Sequence, residues 1–136
     1  MQQARRAVAR ASLRDFAEIG AFPAAARVLV LVGKGHNGGD ALLAAQAILA
    51  QHPAATAEVV FVAGERELRP LARRAWQQWP PAVASRVVVR APEELAGAYA
   101  LSLDGVFGFQ FRPPLEPRAV AALRVANALP VRMRVA

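Results

Sequence analysis

The glycine-rich stretch GKGHNGGD, at residues 33–40, is the part of the sequence best suited to hold a ligand. Gly33, Gly35 and Gly38 match the G-x-G-x-x-G pattern of dinucleotide-binding loops, and they follow the apolar run RVLVLV. The glycines of this stretch allow positive φ angles and a close approach of a ligand to the backbone. The N–H groups at the start of the next helix would then attract an anion.

Asp40 argues against a pyrophosphate at this loop. A carboxylate beside a phosphate costs about 1–4 kcal/mol, depending on local screening. The ribose-binding acid of a dinucleotide fold is also missing at its usual spacing, because the nearest acid after the second predicted strand is Glu65. Asn37 and Asp40 together suit hydroxyl groups or a cation better, although Asp40 by itself could equally be a helix N-cap.

A second stretch with chemical potential, SLDGVFGFQFRPP, occupies residues 102–114. Asp104 ends a predicted buried strand, where an unpaired carboxylate is costly, so we expect it to be paired, protonated or bound to a cation. Such a carboxylate is a candidate acid–base group, with a surface aspartate as the alternative. Arg112 either holds a phosphate or is one of many surface arginines. Phe109 and Phe111 either stack on a flat ring or fill the core.

These two stretches need elements that bring them together. The hydropathy pattern predicts strands at 27–32, 58–64, 85–91, 100–108 and 130–136, separated by helices at 40–51, 65–79, 92–99 and 118–129. An N-terminal helix with its lead-in is expected at 1–26, and Pro80 and Pro81 are expected to end the helix before them. The alternation predicts one α/β domain over 1–136, a Rossmann-like, three-layer open parallel sheet with helices on both faces. Because ligands bind at the carboxyl ends of such strands, the two stretches should share one site.

The composition restricts the classes of function. The chain has 136 residues, a net charge of +7 and no cysteine, which excludes disulfides, thiolate metal sites and cysteine nucleophiles. No apolar run approaches the ~18–20 residues of a membrane span, and we expect a cytoplasmic location without membrane binding. The charge comes from scattered arginines, with Lys34 as the only lysine. This scatter favours a compositional bias over a nucleic-acid surface.

Two segments, VLVLVGKGHNGGDALLAAQAIL at 28–49 and LDGVFGFQFRPPLEP at 103–117, together resemble the NAD(P)HX epimerase family, also called the YjeF N-terminal domain. The family pattern is G-x-G-N-N-G-G-D, followed by D-A-x-F-G-x-G-x-x-R-P. The resemblance implies a Rossmann-like fold that binds hydrated NADH or NADPH (NADHX or NADPHX) and interconverts the two epimers at the hydrated ring carbon. It also implies a potassium ion (K+) in the site. The functional partner would be an NAD(P)HX dehydratase, either a separate protein or fused in the parent gene. The oligomeric state stays open, with a homodimer as one alternative.

The resemblance also implies roles for individual residues. Asp104 is the expected catalytic residue, which would move a proton as the hydroxyl leaves and returns, and Asn37 and Asp104 resemble the potassium ligands. The residues that resemble substrate-binding positions are His36, Asn37, Gly38, Gly39 and Asp40 in the first stretch, and Gly108, Phe109, Gln110, Phe111, Arg112, Pro113 and Pro114 around the substrate's phosphate.

Three departures from the family pattern bear on the site. His36 replaces the first asparagine, Ala41 replaces a glycine, and the chain stops at Ala136, before the family's D-x-P-S-G loop that binds substrate and potassium. From the last departure we expect a fragment or a degenerate member, whose sheet is incomplete at its C-terminus and whose open edge lowers stability or promotes association. The alternatives are a catalytically inactive Rossmann-like nucleotide- or RNA-binding module and an ordinary NAD-dependent oxidoreductase, against which Asp40 argues.

Overall fold

The computed structural model describes residues 23, 25–106 and 117–135, so the N-terminal helix predicted before residue 23 lies outside the described residues. Within them, the strands are β1 (Arg27–Val32), β2 (Thr56–Phe61), β3 (Val87–Val89), β4 (Tyr99–Gly105) and β5 (Val131–Val135). The helices are α1 (His36–Gln51), α2 (Pro70–Gln77), α3 (Pro81–Ala84) and α4 (Pro117–Ala128), with 3-10 turns at Glu65–Glu67 and Pro92–Glu94.

The strands form a parallel sheet in the order β3-β2-β1-β4-β5. This is the order of the Rossmann fold, in which the direction of strand succession reverses beside the first strand. The gap beyond the carboxyl ends of β1 and β4 is therefore the topological switch point, where ligands bind in such sheets. The predicted α/β fold with an open parallel sheet is confirmed.

Helices cover both faces of the sheet, as expected for strands that are buried on two sides. On one face, Val28, Val30 and Val32 of β1 pack with Leu42 and Ile48 of α1. On the other face, the alternate residues Leu29 and Leu31 pack against α4, through Ala119, Ala122, Leu123 and Ala126. The continuous apolar run of β1 thus supplies side chains to two separate cores.

The most consequential difference from prediction is the start of α1, which begins at His36 and not at Asp40. Gly35 is the N-cap residue in extended conformation, and its carbonyl accepts the N–H groups of Gly38 and Gly39 at 3.1 and 3.4 Å. The prediction was wrong because it relied on helix propensity, which is low for glycine. Half of the predicted binding loop is therefore the first turn of a helix.

Other elements also differ from prediction, and prolines explain two of these differences. The helix predicted at 65–79 divides into a 3-10 turn and α2, because Pro70 can begin a helix but cannot continue one. Pro80 and Pro81 lie beyond the end of α2 as expected, but Pro81 also begins the short helix α3. The helix predicted at 92–99 is only a 3-10 turn over Pro92–Glu94, and β3 is shorter than the predicted strand.

Several arginines stabilise the ends of elements. Arg86 donates three hydrogen bonds of 2.7–2.9 Å to main-chain carbonyls at and just beyond the end of α1, those of Leu49, His52 and Ala55. Arg134 donates to carbonyls at the end of α4, those of Ala126, Asn127 and Leu129. Arg27 and Arg90 flank the buried Glu58 at 2.6 and 3.2 Å. These arginines are committed to internal contacts, which reduces the basic charge available to a nucleic acid.

Over the described ranges, no helix is both long enough and apolar enough to cross a bilayer.

Candidate functional site

The predicted site lies at the switch point, where β1 and β4 end side by side. Val32, the last residue of β1, pairs in register with Gly105, the last residue of β4. Beyond that pair, the N–H of Gly33 donates to the carbonyl of Gly105 at 3.2 Å. The topology therefore brings the two predicted stretches to the same edge of the sheet, as the sequence indicated.

The glycines of this edge allow very close packing between main chains. A Cβ atom on Gly105 would lie 2.6 Å from the main-chain oxygen of Asn37, and 2.8 Å from the Cβ of Ala41. A Cβ atom on Gly38 would collide with the carbonyl oxygen of Gly33. The first turn of α1 is thus seated directly on the end of β4, in a position that only glycine permits.

The glycines of the first stretch do not use the positive φ angles that glycine allows. Among the described residues, only Gly64 and Gly97 have positive φ angles. Gly38 and Gly39 are helical residues, and Gly35 is extended with φ −96°. Gly33 and Gly38 are therefore required for contact distance and not for backbone conformation, whereas Gly35 has open space at its Cβ position.

Asp104 is half-buried and has a partner within its own turn. Its Oδ1 atom accepts the N–H of Val106 at 2.8 Å, which accounts for one of its two carboxylate oxygens. Its neighbour Leu103 packs in the core under α1, so the alternation of side chains directs Asp104 to the opposite face, where its register partner Leu31 packs against α4. Asp104 therefore approaches the switch point from the α4 face, and the first turn of α1 approaches it from the other.

The remaining predicted residues divide into two groups. Gly38 and Gly39 are buried, Asn37 is half-buried, and Asp40 is exposed in the second turn of α1, beyond its first turn. His36 is the first residue of α1. The predicted phosphate-binding segment, Gly108, Phe109, Gln110, Phe111, Arg112, Pro113 and Pro114, lies outside the described residues.

The residues predicted to bind potassium fit a hard cation in ligand type. Asn37 offers an amide oxygen and Asp104 a carboxylate, and oxygen donors of this kind suit such ions. The main chain of Asn37 is in near contact with Gly105, which follows Asp104 directly. The described part of the chain contains no group of three or more His, Asp or Glu side chains that could hold a metal ion. The two residues could thus supply part of the ligand shell of a monovalent cation.

Sequence reasoning missed a cleft on the α4 face of the same sheet edge, beyond β2 and β3. Its residues come from three separate segments and match no motif. A cleft formed in this way leaves no local signal, although the strand order places it close to the switch point.

Comparison with known proteins gives three consistent findings. The family model described as YjeF-related protein N-terminus matches residues 1–135. A Bordetella pertussis protein named NAD(P)H-hydrate epimerase is 44% identical over 95 residues, which are 70% of this chain and 39% of that protein. A Gloeobacter violaceus protein named bifunctional NAD(P)H-hydrate repair enzyme Nnr is 39% identical over 127 residues, 90% of this chain and 24% of that one.

The fold also matches a solved structure. The crystal structure of the yeast protein ynu0 superposes with a TM-score of 0.63 at 22% identity, over 96% of this chain and 56% of the yeast chain. This likeness concerns the fold alone. The chain spans about two fifths of the length of the Bordetella relatives that it matches.

Proposed function

The chain belongs to the family of YjeF-related protein N-termini, and from that premise we propose that it is an NAD(P)H-hydrate epimerase domain. It would bind hydrated NADH or NADPH at the switch point and interconvert the two epimers at the hydrated ring carbon. The names of the Bordetella relatives support this activity. The name of the bifunctional Gloeobacter relative supports a second repair activity as its functional partner, which the sequence resemblance identifies as the dehydratase.

The observation that carries the proposal is the meeting of Asp104 with the first turn of α1. Both lie beyond the carboxyl ends of adjacent strands, where Rossmann-like sheets bind their ligands. A carboxylate faces one side of the gap, and the half-buried Asn37 with the start of a helix forms the other side. An acid–base group thus stands opposite polar groups that can orient a flat amide-bearing ring.

In this proposal Asp104 acts as the acid–base group. Its carboxyl group donates a proton to the hydroxyl of the hydrated ring as the C–O bond breaks, and water departs. Water then adds to the other face of the ring and returns the proton to Asp104, so atoms and charge balance over the cycle. Asn37 and Asp40 hold the ring's polar groups, Asp40 from the second turn of α1. A potassium ion held by Asn37 and Asp104 would supply a fixed positive charge.

The test is epimer interconversion of hydrated NADH by the whole chain, measured in potassium and in sodium. We expect Asp104→Asn to lower the rate by about 10²–10⁴-fold, the usual contribution of a general acid–base group. The variant keeps an oxygen that can accept the N–H of Val106, so a loss of rate will not reflect a lost turn. Glu67→Gln, which neutralises one exposed carboxylate in the 3-10 turn after β2, outside the two candidate stretches, is the control.

Wild-type interconversion no faster than the uncatalysed rate would refute the proposal for this chain. A rate that Asp104→Asn leaves unchanged would refute the role of Asp104. Faster turnover in potassium than in sodium would support the ion site. The homodimer and the cytoplasmic location stay predictions from the sequence.

A further inference from the structure

A cleft of about 510 Å³ opens at the carboxyl ends of β2 and β3. One wall is the segment after β2, including Val62 and Gly64, and another is the turn that begins at Pro92. Ala121 and Val125 of α4 close the third side. The volume lies within the range of small-molecule sites, which are mostly apolar with a few polar groups.

The position of the cleft relates it to the candidate site. β2 is the neighbour of β1, and strands lie about 4.8 Å apart, so the cleft is roughly two strand spacings, on the order of 10 Å, from the switch point. The cleft and the side chain of Asp104 are on the same face of the sheet, under α4. A ligand with two nucleoside halves could therefore run along this edge from one to the other.

The walls of the cleft suit a flat, weakly polar ring. Val62, Val89 and Pro92 present aliphatic surface from one side, and Ala121 and Val125 from the other. Ala121 is exposed, and its small side chain leaves room for a ligand on this surface of α4. A purine base has the shape and polarity for such a slot, with the ribose toward the charged rim.

The charged rim carries more carboxylates than guanidinium groups. Glu65, Glu93 and Glu94 line it against Arg90 and Arg118. Arg90 is already paired with the buried Glu58. Arg118 lies close to Gly64: a Cβ atom added to Gly64 would be 3.1 Å from the Nη1 atom of Arg118. Among the described residues, the rim therefore has three carboxylates, of which Glu65 and Glu94 accept the N–H groups of Trp76 and Ala91, and one guanidinium without a carboxylate partner. This excess of negative charge favours ribose hydroxyls and one phosphate over an additional 2′-phosphate.

We propose that this cleft binds the adenosine half of the dinucleotide, with a preference for an unphosphorylated 2′-hydroxyl, an inference that rests on the proposed function. The nicotinamide half would then lie at Asp104, and the preferred substrate would be NADHX. The substitution of Ala121 by a large side chain should block the cleft without touching the switch point.

The test is titration of the full chain with AMP, followed by calorimetry. We expect Ala121→Trp to weaken AMP binding at least about tenfold, which corresponds to about 1.4 kcal/mol. Ala128→Trp, at an exposed position on the same helix outside the cleft, should leave it within about twofold of wild type. Arg118→Ala, which adds no bulk, should weaken AMP by about fivefold because the phosphate loses its cation. Adenosine 2′,5′-bisphosphate should bind about fivefold more weakly than AMP, and Glu93→Gln should narrow that difference.

Two results would overturn the inference: AMP binding that Ala121→Trp and Arg118→Ala both leave unchanged, or a bisphosphate that binds more tightly than AMP. The outcomes separate it from the proposed function. Loss of AMP binding in Ala121→Trp supports the cleft even if hydrated NADH is not epimerised. If the chain epimerises hydrated NADH but these substitutions leave its AMP binding unchanged, only the proposed role of the cleft is refuted.

Discussion

Replacement of Gly105 by alanine should strongly destabilise the protein, because the Cβ position of Gly105 is closed by atoms of two elements. The new Cβ atom would lie 2.6 Å from the main-chain oxygen of Asn37 and 2.9 Å from that of Leu31. It would also lie 2.8 Å from the Cβ of Ala41. Two of these atoms are main chain and the third is bonded directly to it, so no side-chain rotation can relieve the overlap.

The magnitude follows from the cost of overpacking. Inserting a methyl group into a well-packed region costs about 1–3 kcal/mol, and rigid neighbours put Gly105→Ala at the upper end, about 3 kcal/mol. The unfolding entropy is about 2.1 cal/mol/K per residue, so about 1 kcal/mol lowers the melting temperature of a 136-residue chain by roughly 3–4 °C. The expected shift is therefore about 10 °C.

The assay is thermal unfolding of both proteins by circular dichroism, with Gly35→Ala as the matched control. Gly35 has nothing within 4 Å of its Cβ position and an extended backbone that alanine can adopt. We expect Gly35→Ala to change stability by less than about 1 kcal/mol, because it affects mainly the helix cap and the unfolded chain. If Gly105→Ala melts within about 2 °C of Gly35→Ala, the close seating of α1 on β4 is not what these glycines provide.

Two further substitutions test other contacts. Arg86→Met should cost about 2–4 kcal/mol in denaturant titration, because three main-chain carbonyls lose a charged donor, whereas the exposed Arg74→Met should cost less than about 0.5 kcal/mol; equal effects would contradict the capping role. The hydroxyl of Tyr99 is buried, and burial, then the Glu58 carboxylate, raise the pKa of Tyr99. Because the unfolded phenol loses its proton near pH 10 and the folded one only at higher pH, wild-type stability should fall above about pH 10. Tyr99→Phe should remove that fall, and parallel stability curves for the two proteins between about pH 9 and pH 11 would contradict it.

The strand pattern could be predicted because its signals are local. The apolar run of β1 is continuous, as a strand covered on both faces requires, and α1 and α4 each contain an alanine-rich helix signal. From that alternation, the general rule for parallel sheets places Asp104 near the glycine stretch. The meeting of the two stretches at one edge could therefore be predicted from the sequence.

The first turn of α1 could not be predicted from the sequence, because it depends on contacts between residues that are distant along the chain. Gly38 fits against Gly33, and Asn37 fits against Gly105 from the end of another strand. Glycine has low helix propensity, so a prediction from local sequence begins the helix at Asp40, and tertiary packing overrides it. The side of the sheet on which Asp104 projects depends likewise on strand register, since a shift by one residue would reverse it.

The position of Asp40 changes the argument about what the glycine stretch can bind. The dipole of a helix acts within its first turn, and Asp40 lies beyond that turn and is exposed. Its carboxylate therefore offsets the positive end of α1 less than a residue at the cap would, and the electrostatic objection to an anion is weaker than the sequence indicated. The packing of Gly38 and Gly105 imposes a stricter limit, because it uses these glycines internally. Gly35 has open space at its Cβ position among the described residues, so a ligand would approach over Gly35, beside Asn37 and toward the edge that Asp104 shares.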